Sequence, residues 1–273
     1  MSPQVSSSVA TITRGREYSL EFASRTDHLF QSVVQTGNFY ESKMLDAVFP
    51  FLREGDLVID VGANVGNHSI YFAGEAGCRV LAYEPVAEAY ELLERNISAN
   101  GVGHLVGSRN YALGESRSWA SVSFQNNENL GATSLRVQGT TSGIAVRRLD
   151  SIPELADTSV RLIKIDVEGM EIDVIKGSFE TLDRDKPIVV CECQTEPLFD
   201  EVAANLAMYG YKATECFNST PTYIFLAKDF CESSDYSMGE YWQDAVLRNS
   251  RRNQELSSEL QRLRRLFDLS QRK

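Results

Sequence analysis

Residues 56–61, DLVIDV, form an almost unbroken hydrophobic run that leads straight into Gly62-Ala-Asn64-Val-Gly66. A strand of that composition is covered on both faces, as in a parallel sheet flanked by helices. At its carboxyl end the backbone must turn sharply into a helix, and glycine permits both the turn and the close approach of a ligand. A second strand over 79–83 (RVLAY) stops at Glu84-Pro85, which places Glu84 24 residues after Asp60. An acidic side chain there accepts hydrogen bonds from ribose hydroxyls, while amides at the helix start receive polar groups. Turn and acid together predict a nucleoside-containing ligand. A turn that merely packs a helix on a sheet would need no acid at that spacing.

The same residues bear on which nucleoside. A dinucleotide site wants GxGxxG, so that a pyrophosphate sits over bare backbone. Here Asn64 puts a side chain in that place, and Asp60 repels a pyrophosphate. An acid at that position suits a cationic amino group, such as the α-amino group of methionine. The physical preference is for an aminoacyl-nucleoside over NAD.

Along the chain, strand patterns alternate with helical ones, which predicts an α/β fold of Rossmann-like type with a mainly parallel sheet. Residues 1–25 read as a polar lead-in with one short strand, Tyr18 to Phe22. Helical spacing follows in Leu29, Phe30, Val33 and Val34, and again in Met44, Leu45, Val48 and Phe49. Helices are expected over 69–74, 87–100, 170–176 and 198–209. Further strands are expected near 105–111, 144–149, 160–165 and 188–193. Residues 118–137 read as a hairpin insertion. A closing pair, 211–215 and 222–227, reads as an antiparallel edge hairpin. The main domain is thus expected over 26–230. Residues 231–273 form a C-terminal extension whose Leu256, Leu260, Leu263 and Phe267 mark a helix. Its seam spans about two heptads, short of what a coiled coil needs. It fits a helix docked on its own domain, or self-association into a homo-oligomer.

Hydrophobic residues make up 42% of the 273-residue chain and charged ones 24%, so a sizeable core is expected and disorder is not. The formal charge is −11, and residues 241–273 hold eight Lys/Arg against four Asp/Glu, leaving −15 on the rest. An acidic body is a poor polyanion binder, which argues against nucleic acid as a partner. No apolar run approaches a membrane span, and the start lacks the pattern of a secretory signal. The five cysteines are odd in number, without CxxC spacing, as expected of reduced thiols in a cytoplasmic protein.

Several segments, taken together, resemble the FkbM family of methyltransferases: DLVIDVGANVGNHSIYFA, VLAYEP, RNISAN, the ALGE at 112–115, the RRLD at 147–150 and IKIDVEGMEIDVIKG. The resemblance covers residues 37–228, from the Phe39-Tyr40-Glu41 element, and leaves out the tail. It implies a class I methyltransferase fold with a seven-stranded sheet and an antiparallel final strand. It also implies methyl transfer from S-adenosyl-L-methionine, usually to oxygen, on sugars or other small metabolites. Carried over by position, Asp60, Gly62, Ala63, Asn64 and Gly66 border the methionine half of the cofactor. Glu84 holds the ribose, Pro85 shapes the adenine slot, and Asn110 and Ala112 fall where such enzymes contact adenine.

Methyl transfer to a hydroxyl needs alignment, exclusion of water and a general base. Candidates at the carboxyl ends of the central strands are Asp166, Glu168 and Glu192, with His68 beside the turn. Glu168 also suits a helix cap, and Glu192 also suits a partner for Lys164. Lys164 shares a strand face with Asp166 and must be paired if buried, which predicts a charge network under the site. Carboxylates so placed can hold Mg²⁺; the expectation is that no metal is required. The insertion, Tyr40 and the polar stretch 125–134 are candidate walls for a glycan or small-molecule acceptor. Two alternatives stand beside this reading: an NAD-dependent oxidoreductase, and a non-catalytic module that binds a partner through its terminal helix.

Overall fold

The computed structural model describes residues 7–124, 133–138 and 142–228, together with 245, 246 and 248. The chain divides into two compact units, residues 1–230 and 231–273. The terminal helix expected around Leu256 to Phe267 lies outside the described residues.

Seven strands build the main sheet: β3 (Leu57–Val61), β4 (Arg79–Tyr83), β5 (Val106–Arg109), β10 (Val160–Ile165), β11 (Ile188–Glu192), β12 (Tyr211–Phe217) and β13 (Thr222–Ala227). Their order is β12-β13-β11-β10-β3-β4-β5. Pairing is parallel from β11 to β5, and β13 runs antiparallel to both β11 and β12. The fold is the Rossmann-like class I methyltransferase arrangement. All five residues of β3 are buried, as expected for a central strand covered on both faces. From β3 the chain steps one way to β4 and β5 and the other way to β10 and β11. Right-handed crossovers therefore put the connecting helices on opposite faces, and a crevice opens at the carboxyl ends of β3 and β10.

The crossovers are α3 (Asn67–Gly74), α4 (Ala87–Ala99), α5 (Glu171–Lys176) with α6 (Phe179–Asp185), and α7 (Glu196–Ala207). Ahead of the sheet stand α1 (His28–Thr36) and α2 (Ser42–Val48). The Asp27 side chain caps α1 by accepting from the amides of Leu29 and Phe30, and left-handed Gly37 ends it.

The start of the chain differs from the polar lead-in expected of it. Two strands, β1 (Ser8–Arg14) and β2 (Arg16–Phe22), pair as an antiparallel hairpin. One face buries Ala10, Ile12, Tyr18, Leu20 and Phe22. The alternation was present, but its first half is written in Ser, Thr and Ala rather than large hydrophobics. Two asparagines grip β2, Asn96 within α4 and Asn100 at its C-cap. Asn96 accepts from the Glu21 amide at 2.7 Å and donates to the carbonyls of Glu21 and Val65 at 2.9 and 2.8 Å. Asn100 makes the matching exchange with Ser19.

The insertion is larger than one hairpin. β6 (Ala112–Leu113), β7 (Ser118–Phe124), β8 (Ser134–Gln138) and β9 (Ile144–Arg147) form a separate sheet in the order β6-β9-β7-β8. Ala112, Ala120 and Val146 pack with Met170 in its core, against Leu135, Ile144 and Val167. This sheet is thereby seated on the loop that follows β10.

Candidate active site

Between β3 and α3 the backbone adopts left-handed conformations at Gly62 (φ 76°), Asn64 (φ 49°) and Gly66 (φ 91°). Gly62 is obligatory for a second reason: a Cβ there would lie 1.8 Å from the Asp166 carbonyl oxygen. The amides of Gly62 and Ala63 donate to the Tyr83 carbonyl at 2.9 and 3.0 Å, which ties the turn to the end of β4. The next amide, of Asn64, donates to Glu84 Oε2 at 2.8 Å, and Val86 N donates to Glu84 Oε1 at 2.8 Å. Burial pushes Glu84 up to about 7, against the pull of those two amides and of Lys164. Asn110 sits behind Glu84, its amide donating to the carbonyls of Glu84 and Pro85 at 2.9 and 3.3 Å.

The cleft encloses about 580 Å³, counting the space at its open mouth. Four segments line it: the turn through Gly62 and Asn64, residues 83–86, the small sheet through Ala112, Leu113, Thr133 and Leu135, and the post-β10 loop through Asp166, Val167, Glu168 and Met170. Among the described lining residues the charged ones are Glu84, Asp166 and Glu168, and there is no lysine, arginine or histidine.

Beneath the cleft lies the buried network around Lys164. In the parallel register Lys164 stands opposite Asp60. Its ammonium is 3.1 Å from Asp60 Oδ1, 3.4 Å from Asp166 Oδ2, and donates to the Gly62 carbonyl at 2.9 Å. Burial pulls Lys164 down, but Asp60 and Asp166 outweigh it and hold the ammonium above its ordinary range. Asp60 is fully buried and also accepts from Ser69 Oγ at 2.6 Å. The sequence placed Asp60 against a ligand's amino group; the structure pairs it with Lys164 and Ser69, and it is not among the described residues that line the cleft. Asn110 likewise supports the wall rather than lining it.

Asp166, 34% exposed at its side chain, stands at the mouth of this network. Burial raises it, but the Lys164 charge and a hydrogen bond from Glu192 prevail and hold it below its usual range. Glu192 goes the other way, raised by burial and by the adjacent Asp166 charge. The two neighbouring carboxyls are thus shifted in opposite directions, Asp166 toward the ionised form and Glu192 toward the protonated one. Glu168, in a left-handed conformation (φ 55°), accepts a hydrogen bond from Gln194 Nε2. Asp166, Glu168 and Glu192 each present an oxygen, all within 4.8 Å of one another. The cap assigned as one option to Glu168 is not formed: Met170 stands at the N-cap of α5 with no side-chain cap, and Glu171 in the first turn accepts from Gly169 N at 3.0 Å, ahead of the helix.

His68 does not line the cleft. It is buried, its Nε2 3.3 Å from Glu41 Oε2. Asn67 fixes this side by exchanging two hydrogen bonds with the Tyr40 backbone at 3.0 and 3.1 Å. Thr133 and Leu135 fall in the insertion that the sequence assigned to the acceptor wall, and both line the cleft. Sequence reasoning passed over Glu41, Val167 and Met170 as site residues, because Glu41 is sequence-distant from the strand ends and the other two are non-ionisable, so neither spacing nor charge marked them. Residues 125–132 of the polar stretch lie outside the described residues.

The family profile described as Methyltransferase FkbM domain matches residues 60–213. Hexuronic acid methyltransferase AglP of Haloferax volcanii is 28% identical over 133 residues, 48% of this chain and 53% of that protein. The chain therefore spans about half the length of that relative. Methyltransferase sdnD of Sordaria araneosa is 23% identical over 192 residues, covering 57% and 73% respectively. Among solved structures, Methyltransferase FkbM from Methylobacillus flagellatus aligns with a TM-score of 0.47 at 19% identity, over 63% of this chain and 43% of that one.

Proposed function

Since the chain belongs to the FkbM family of methyltransferases, we propose that it transfers a methyl group from S-adenosyl-L-methionine to a hydroxyl of a glycan or small metabolite. The observation that carries this reading is the charge of the cleft. Its described lining holds three carboxyl groups and no cationic side chain, which suits a ligand bearing a sulfonium and an ammonium group. A dinucleotide pyrophosphate would meet like charge there at short range, which counts against the NAD alternative. Asn64 Oδ1, buried and without a hydrogen-bond partner among the described residues, offers one further acceptor to such a ligand.

In this reading Glu84 accepts from the ribose hydroxyls, Pro85 and Ala112 border the base, and Gly62 and Asn64 border the methionine half. Bound there, S-adenosyl-L-methionine supplies an electrophilic methyl group. Asp166 takes the proton from the acceptor hydroxyl. Its carboxylate is kept ionised by Lys164, while Glu192 carries the proton of the pair and Glu41 holds His68 in place behind them. Asp60 acts indirectly, by fixing Lys164. The acceptor pocket falls on the Tyr40 and small-sheet side of Asp166. The reaction is written without a metal ion; loss of turnover on chelation, restored by Mg²⁺, would replace Asp166 as base with Asp166, Glu168 and Glu192 as ligands. Free cysteines at positions 78, 191, 193 and 216 support a reducing, cytoplasmic setting. Among the described residues no helix is long and apolar enough to cross a membrane.

Calorimetric titration with S-adenosyl-L-methionine and, separately, NADH tests the reading. Saturable binding of the first alone is expected, weakened on the order of 10–100-fold in Glu84→Ala, which loses charge-assisted hydrogen bonds. Binding of NADH alone would make the chain an oxidoreductase on this sheet.

A further inference from the structure

The small sheet brings an unmet hydrogen-bonding group to the cleft. Thr133 lies just before β8, is 7% exposed and lines the cleft together with Leu135. The two alternate along one chain segment, so they face the same side. Leu135 packs against the cluster of Ala112, Ala120, Val146 and Met170. Thr133 Oγ1 is buried, with no hydrogen-bond partner among the described residues. An unpaired buried hydroxyl is costly, and one that borders a ligand cleft is explained if the ligand pairs it.

The rest of the lining indicates which part of the ligand that is. Glu84 and Asn64 serve the ribose and methionine side, and Asp166 and Glu168 the reacting side, in the reading given above. What remains around Pro85, Val86, Ala112, Leu113 and Leu135 is apolar, the lining a flat heteroaromatic ring requires. A purine in such a slot still carries ring nitrogens and an exocyclic amine, and a threonine hydroxyl both donates and accepts. We propose that Thr133 is a nucleoside-contacting residue, its hydroxyl hydrogen-bonded to the polar edge of the base. The inserted sheet, assigned from sequence to the acceptor, then also holds the cofactor. The inference rests on the nucleoside reading of the cleft.

The test is calorimetric titration of the full chain with S-adenosylhomocysteine and with 5′-methylthioadenosine, which lacks the amino-acid part. Wild type, Thr133→Val, Thr133→Ala and Thr133→Ser are compared, with thermal unfolding of each ligand-free protein. Removing the hydroxyl should weaken both ligands by about tenfold, the scale of one lost hydrogen bond. Thr133→Ser should bind as wild type does. Ligand-free Thr133→Val should melt no lower than wild type, because the substitution removes an unpaired polar atom. Lowered affinity with undiminished stability is a signature that a packing role does not give. Unchanged affinity in both Thr133→Val and Thr133→Ala would overturn the assignment while leaving the cofactor reading intact. So would a loss confined to S-adenosylhomocysteine, which would move Thr133 to the methionine half. If wild type binds neither ligand, the cofactor reading fails, and the proposal with it.

Discussion

Buried Glu84, held by the amides of Asn64 and Val86 and pushed up to about 7, makes ligand binding depend on pH. A carboxyl whose folded value is raised contributes stability that is complete below its unfolded value and is lost as pH rises through about 7. The ligand-free protein therefore loses stability across that window, as the ionised form proposed to accept ribose hydroxyls appears. Affinity for S-adenosylhomocysteine should be level above pH 7 and fall as pH drops below it, with the ligand-induced rise in melting temperature shrinking in parallel; calorimetry and thermal melts between pH 5.5 and 8 measure both. At Asp166 the expectation is different in kind. Asp166→Asn keeps the shape of the wall but cannot take a proton, so turnover should drop on the order of 10²–10⁴-fold. Cofactor affinity should change far less, as steady-state rates beside calorimetry will show once a hydroxylated acceptor has been identified.

At the scale of elements, the turn is braced from two sides. Asn96 ties Val65 of the turn to Glu21 of the hairpin through three hydrogen bonds, while 1% exposed. Asn96→Ala leaves buried backbone groups unpaired and should cost about 2–4 kcal/mol in urea unfolding. A loss under about 0.5 kcal/mol, as for an ordinary surface change, would show that the tie is ornamental. The elements also differ in how far their sequence declared them. The central strands were legible because double-sided burial writes them as runs rich in Val, Ile and Leu, interrupted only by Asp60 in β3 and by Arg161 and Lys164 in β10. β1 was not, because a strand that buries Ser8, Ala10 and Ile12 looks polar in composition. Helix α6 was missed as well; its seven residues bury only Thr181 and Leu182, too few for a helical period to register. For the site, acids at strand ends could be read from position, whereas their orientation could not. Asp60 faces Lys164 because the register sets the two opposite one another across the strands, and register is a long-range property that no local pattern records.

On the scale of the whole molecule, every described residue lining the cleft falls between Val61 and Met170, inside the unit formed by residues 1–230. A chain ending at residue 230 is expected to fold and to bind S-adenosylhomocysteine with unchanged affinity. Unfolding or loss of binding on truncation would show that residues 231–273 help to build the site. Charge does not divide at the same point: residues 231–273 hold eight Lys/Arg against seven Asp/Glu, a net +1, and residues 1–230 carry −12.

Val61 lies opposite Ile165 in the register of β3 and β10, and Gly62 meets the Asp166 carbonyl with no room for a methyl group. Main chain touches main chain at the point where the donor's cradle and the proton acceptor come together. The interval between them is thus a fixed gauge, set by peptide dimensions that no side-chain replacement can lengthen. In the proposed reaction, substitutions in the insertion and at Tyr40 alter the acceptor side and leave this main-chain interval as it is.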